Sequence, residues 1–209
     1  MKIIRYSLGE LQANCYFLIK DNNLLLIDPA DEANFILEEI QRQRLNLVAM
    51  LATHGHFDHL MAVGEIQKSF NVPLYINKKD EFLLDRLEET AKYFLGYNPV
   101  IFKPQNIKYF NKNIKKFHVS RFTFHILFSP GHTPGGVCFY FEKEKVIFTG
   151  DTLFKDSIGR YDFSYSNKID LKKSIEKILK LPSDIIIYPG HGEETTVKDE
   201  KNILSLYNL

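Results

Sequence analysis

The chain has 209 residues, 44% hydrophobic and 25% charged, with a formal net charge of +1. That length can bury a full core, and that balance is ordinary for a globular protein. Near-neutral charge excludes the basic footprint of a nucleic-acid binder, and no apolar run reaches the ~20 residues that span a bilayer.

The N-terminal segment Met1-Lys2-Ile3-Ile4-Arg5-Tyr6 has no apolar stretch long enough for a signal peptide, so a cytoplasmic protein is expected. Residues 3–8, 13–19 and 24–27 are apolar runs separated by Gly9-Glu10 and Lys20-Asp21-Asn22-Asn23, which predicts an antiparallel meander. Asp28-Pro29 closes the third run. Its carboxylate is either a hydrogen-bond partner for a later histidine loop or a turn aspartate before proline. Phe35, Ile36, Leu37 and Ile40 give one face of a helix over 31–44. Leu47 to Ala52 reads as a buried strand, and it delivers Thr53-His54-Gly55-His56-Phe57-Asp58-His59.

A helix over 60–70, a short strand beginning at Pro73 and a helix from Lys78 to about Tyr93 follow. Residues 94–120 have weak periodicity. The aromatics Tyr93, Phe94, Tyr97 and Phe102 read as pocket wall or as ordinary packing. The Lys-rich stretches Lys112 to Lys116 and Lys168 to Lys180 are interrupted by apolar residues and read as solvated faces.

Strand patterning returns over 114–149, with period-two alternation from Phe122 to Phe128. Val137 to Phe141 and Val146 to Phe148 form a hairpin-like pair ending in Thr149-Gly150-Asp151. A long loop over 152–168 precedes a helix from Leu171 to Leu181. A last strand, Asp184 to Tyr188, feeds Pro189-Gly190-His191-Gly192, and 198–206 closes the chain as a helix. Cys15 and Cys138 stand in apolar strand surroundings with no Cys-x-x-Cys pair, which predicts small buried side chains in a reduced setting. The order of strands, helix, strand occurs twice, so two packed halves are expected with a site between their sheets. One domain over 1–209 is expected.

The chemistry concentrates at strand ends. His54 and His56 are two apart, so extended backbone points both one way. Asp58 and His59 follow as the chain turns into a helix. His132, Asp151 and His191 each follow an apolar strand and lie beside glycine, which lets backbone come close to a ligand. Five imidazoles and two carboxylates suit two ions of borderline softness, such as zinc. His54, His56 and His132 would hold the first, and Asp58, His59 and His191 the second, with Asp151 between them. His118 and His125 have no such surroundings and read as strand histidines.

The set His54-x-His56-x-Asp58-His59, His132, Asp151 and His191 resembles the metallo-β-lactamase-fold hydrolase superfamily over nearly the whole chain. The resemblance implies an α/β (α+β) fold: a four-layer αβ/βα sandwich of two mixed sheets, helices on both outer faces and metals at one edge. Pro130-Gly131-His132-Thr133-Pro134-Gly135, Gly150-Asp151-Thr152-Leu153-Phe154, Ser157-Ile158-Gly159-Arg160 and Pro189-Gly190-His191-Gly192 are similar to the short bacterial glyoxalase II-like branch. That implies hydrolysis of a small-molecule thioester, S-lactoylglutathione or similar, by water activated between two divalent ions. Zinc is expected, with iron or manganese as alternatives. Asp58 would aim the attacking water, Arg160 and Tyr161 would contact substrate, and Asp28 would support a ligand. Asp162 replaces an expected tyrosine, Ser164-Tyr165-Ser166-Asn167 replaces a glycine-rich segment and Glu193 replaces a proline, and the helical glutathione clamp that would follow Thr196 is not expected. Neither a membrane nor a nucleic acid is expected as a partner. The alternatives are a lactonase or β-lactamase, or a persulfide dioxygenase using one iron on residues such as His56, His132 and Asp151.

Overall fold

The computed structural model describes every residue except 112, 114, 115, 208 and 209, so most of the stretch Lys112 to Lys116 lies outside the described residues. The first sheet runs β1 (Lys2–Leu8), β2 (Ala13–Lys20), β3 (Asn23–Ile27), β4 (Asn46–Leu51), β5 (Leu74–Ile76) and β6 (Ile107–Tyr109), side by side in that order. β1, β2 and β3 pair antiparallel, as the meander predicts, and β3 to β6 pair parallel. Each parallel neighbour needs a crossover. α1 (Ala33–Arg42) supplies the one from β3 to β4, and α2 (Val63–Ser69) the one from β4 to β5. The segment between β5 and β6 carries α3 (Glu81–Asp85) and α4 (Leu87–Leu95).

The second sheet contains β7 (Lys116–Val119), β8 (Phe122–Phe128), β9 (Val137–Phe141) and β10 (Val146–Gly150), all antiparallel. A hairpin of β11 (Leu153–Phe154) and β12 (Ser157–Ile158) follows, then the crossover helix α5 (Lys168–Leu179). β13 (Ile186–Pro189) pairs parallel with β10, and β14 (Thr195–Thr196) forms the edge. A 3-10 turn (Asp199–Asn202) and α6 (Ile203–Leu206) end the described chain.

Side-chain alternation sorts the strands into layers. Cys15, Phe17, Leu24, Leu26 and Met50 pack against Ile36, Ile40, Val63 and Ile66 of α1 and α2. Their neighbours Tyr16, Leu18, Leu25, Ile27, Ala49 and Leu51 face the other way, onto Phe124, Val137, Phe139, Val146 and Phe148 of the second sheet. That sheet's opposite face, with Cys138, Ile147 and Ile187, packs on Ile175 and Ile178 of α5. Strands buried on both faces carry continuous apolar runs, which is why these segments read as they do. Each fully buried Leu, Ile or Phe contributes roughly 1.5–3 kcal/mol, so the inter-sheet layer is a large share of the driving force. The result is the αβ/βα sandwich. Among the described residues, no helix is long and apolar enough to cross a membrane.

Four local readings need correction. The helix expected over 78–93 is a 3-10 turn, α3 and α4, broken at Arg86 (φ −107, ψ 13). Leu83, Leu84, Leu87 and Ala91 are buried on both sides of the break, so the apolar spacing never registers it. Residues 94–120 contribute β6, a short edge strand whose exposed residues give no alternation signal, while β7 falls within the strand patterning expected from 114. The loop 152–168 contains the β11–β12 hairpin. α5 begins three residues early, because Asn167 caps it by accepting from the Asp170 amide at 2.9 Å.

Candidate metal centre

All seven expected donors converge where β4, β10 and β13 end. β4 releases the chain into His54 to His59, with a 3-10 turn (Phe57–His59) that turns Asp58 and His59. His54 Nε2 and His132 Nε2 each lie 3.0 Å from His56 Nδ1. A second group forms from Asp58, His59 and His191, with His191 Nε2 3.3 Å and His59 Nε2 3.7 Å from Asp58 Oδ2. Asp151 stands between the groups. Its Oδ2 is 3.5 Å from His132 Nε2 and 3.8 Å from His191 Nε2, and its Oδ1 is 3.4 Å from His59 Nε2.

Hydrogen bonds on the far side of the rings decide which nitrogen faces inward. Asp28 accepts at Oδ1 from the Thr53 amide (2.7 Å) and at Oδ2 from the Thr53 hydroxyl (2.6 Å) and His59 Nδ1 (3.0 Å). Since the Thr53 hydroxyl donates to Asp28, its lone pair receives His54 Nδ1–H at 3.0 Å. His132 Nδ1 donates to the Arg160 carbonyl at 2.8 Å, and His56 Nε2 lies 2.8 Å from the Tyr165 hydroxyl. Three imidazoles, His54, His59 and His132, thus carry a proton outward on Nδ1 and aim Nε2 into the site, and His56 aims Nδ1 inward with its Nε2 against the Tyr165 hydroxyl. Asp28 could be grouped geometrically with His54 and His59, but both its oxygens are already engaged, so it acts by orienting them.

The electrostatics agree with a cation-binding site. Burial, reinforced by neighbouring imidazoles, pushes His54 well below its ordinary value and His56 down to about 3, so both are neutral. Burial would also depress His59, but the Asp58 and Asp151 carboxylates raise it well above its usual range. Burial would raise Asp151, yet His59 and its neighbours hold it well below the usual carboxylate range. His59 Nε2 and Asp151 Oδ1 are buried without a hydrogen-bond partner. Two orphaned polar atoms and lone pairs facing one another at 3.0 Å fit divalent ions.

Residues outside the sequence reading hold these loops. Asp80, fully buried, accepts from the Gly55 amide (3.0 Å), the Thr133 hydroxyl (2.7 Å) and the Gly135 amide (2.6 Å). It therefore clamps the His54 loop to the His132 loop. Asn14 on β2 donates to the carbonyls of Pro189 (3.0 Å) and Gly192 (2.9 Å), and the Tyr16 hydroxyl donates to Pro189 (2.6 Å), fixing the His191 turn. Gly190 is required there, since a Cβ would overlap Asp151 Oδ1. Asp28 itself adopts a left-handed φ of 47, a strained conformation that its three hydrogen bonds sustain.

A cleft of about 230 Å³ opens over Asp58, His56, His132 and Asp151, walled by Leu11, Phe57, Phe94, Phe163 and Tyr165. Of the four aromatics singled out over 93–102, Phe94 alone lines it. Arg160 also lines it, but its guanidinium is paired with Asp162. Tyr161 lies outside the lining, its ring under the Lys168 ammonium at 5.5 Å. His118 pairs with Thr123 and His125 with Glu142, and neither joins a donor group. Cys15 and Cys138 are buried and unpaired.

The family model of the Metallo-beta-lactamase superfamily matches residues 8–191. Hydroxyacylglutathione hydrolase GloC of Haemophilus influenzae is 41% identical over 204 residues, covering 96% of this chain and 95% of that protein. Among solved structures, BLEG-1 B3 metallo-beta-lactamase superposes with a TM-score of 0.89 at 34% identity, covering 96% of this chain and 97% of that one. TTHA1623 in a di-iron-bound form gives 0.85 at 34% identity, covering 94% and 96%.

Proposed function

The chain belongs to the metallo-beta-lactamase superfamily as a metallo-hydrolase with a His/Asp metal site, and from that premise we propose that it hydrolyses thioesters in the manner of glyoxalase II. The likeness to the GloC protein, at 41% identity over almost the full length of both chains, supports the thioester as substrate. The observation that carries the site is the set of four imidazoles each held from outside by one ring nitrogen, which aims the other inward.

In this reading His54, His56 and His132 would hold one divalent ion and Asp58, His59 and His191 another, with Asp151 standing between the two groups. Zinc suits the nitrogen-rich donors, and iron is the alternative that the di-iron neighbour supports. Ions bound there supply a water whose pKa falls from about 15.7 toward neutrality and a positive charge beside the carbonyl oxygen. Asp58 lines the cleft, and its charge is favoured by His59 and by the hydrogen bond with His191, although burial opposes it. It orients the attacking water and takes up its proton. The C–O bond forms as the C–S bond breaks, giving a carboxylic acid and a thiol. A thiolate leaves readily, so no separate acid is required. Leu11, Phe57 and Phe94 keep bulk water off the reacting carbonyl.

A β-lactam carbonyl is the second reading, supported by the likeness to BLEG-1 over nearly the whole chain. Metal content by mass spectrometry, measured with hydrolysis of S-lactoylglutathione, a lactone and a β-lactam, tests both. Two zinc equivalents with thioester cleavage are expected. Two ions with β-lactam cleavage alone would replace the thioester reading. A single iron with oxygen uptake on a persulfide would remove both.

A further inference from the structure

The walls and the charge of the cleft restrict what can flank the scissile bond. Phe57 and Phe94 stack at 5.8 Å with 21° between planes, and Phe163 and Tyr165 at 5.4 Å with 16°. Leu11 and Phe94, both lining the cleft, remain 41% and 46% exposed, and Phe82 beside Tyr165 is 36% exposed. Large apolar side chains left uncovered around a concave site mark a surface meant to be covered by an apolar group.

Beyond the donor groups at its floor, the walls of the cleft offer little positive charge. Among the described residues lining the cleft, Arg160 is the one permanent cation. Asp162 occupies one edge of it: Nε lies 3.0 Å from Oδ1 and a terminal nitrogen 2.9 Å from Oδ2, while the guanidinium lies over the Phe163 ring at 4.5 Å. Arg86, which also acts electrostatically on Tyr165, is held in the same forked way by Glu89 at 3.0 and 2.8 Å. A carboxylate entering the cleft meets a guanidinium whose charge is already balanced and whose Nε edge is taken, so its gain there is small. An uncharged apolar group needs no such partner.

We infer that this cleft selects thioesters whose thiol and acyl portions are uncharged and apolar, over conjugates bearing carboxylates such as glutathione. The inference rests on the thioester reading above and specifies its substrate class. It also assigns a role to Asp162, as the residue that masks Arg160.

A matched pair tests it: S-acetyl-N-acetylcysteamine and S-acetylglutathione, with the zinc-loaded protein. The neutral compound is expected to have a kcat/KM about tenfold higher or more. Asp162→Asn frees Arg160 and narrows that ratio by about three- to fivefold through the KM of S-acetylglutathione, the range of an exposed ion pair. Phe94→Ala raises the KM of the neutral compound. A wild-type preference for S-acetylglutathione, or a ratio that Asp162→Asn does not move, overturns the selectivity while leaving the thioester reading intact. Turnover of neither compound ends the thioester reading itself.

Discussion

The hydroxyl of Tyr165 lies 2.8 Å from Nε2 of His56, on the side of the ring away from the other donors. His56 is the one histidine of the centre whose inward nitrogen is Nδ1, and it faces both His54 and His132. Tyr165→Phe removes the partner of Nε2 and lets the ring turn and choose either tautomer. Metal affinity is expected to fall about tenfold or more, as for other partners of ligating histidines. Competition with a chromophoric chelator measures it; unchanged affinity would remove the tautomer argument.

Asp58→Asn keeps the shape and one oxygen donor but loses the charge that His191 and His59 favour. Turnover of a thioester is expected to drop about 100-fold or more, the usual weight of a positioned base. Metal content should fall far less. Mass spectrometry and steady-state kinetics on one preparation separate the two, and near-normal turnover would exclude Asp58 as the base.

Asp80→Ala strands three buried donors at once: the amides of Gly55 and Gly135 and the hydroxyl of Thr133. Each unsatisfied donor costs about 1–3 kcal/mol, so a loss of roughly 3 kcal/mol or more is expected in urea denaturation. Activity should fall with it, because two histidine loops lose their common anchor. A variant with wild-type stability would show that water takes over all three bonds.

Burial pushes the Cys138 thiol from its ordinary value near 9 up to about 11. The unfolded chain therefore releases this proton first, and the folded chain holds more protons between those values. Stability attributable to the thiol is complete below about pH 9 and is lost as pH rises toward 11, by a few kcal/mol at most. Cys138→Ala should flatten that alkaline decline in denaturation curves recorded from pH 8 to 11. An equally steep decline in the variant would assign it to other groups.

The centre was legible where its signal was local. His54, His56, Asp58 and His59 sit within six residues, and His132, Asp151 and His191 each carry a glycine beside a strand end. Asp28 was visible as a carboxylate closing β3, though which of its two roles it played awaited the position of Thr53 and His59. Asp80 was not visible. It reads as one more acid at the start of a helix, and its partners are 25, 53 and 55 residues away. Asn14 and Tyr165 were hidden the same way, with partners 175 and 109 residues distant. The layers of the fold followed from alternation, whereas the break at Arg86 and the edge strands β6 and β14 did not. Hydrophobic pattern reports which face is buried and is blind to backbone kinks and to strands that bury little.

Asn14 and Tyr16 belong to the first sheet, yet they grip the turn that carries His191 at the end of β13 in the second. His59, which His191 must meet, hangs from the first sheet through Asp28. The two slabs are therefore latched at the rim where the chemistry takes place, and neither can slide without changing the spacing of the imidazoles. Any ångström-scale shear of one slab over the other would be read out at once as altered ion binding, which makes the centre a gauge of how the sandwich is registered.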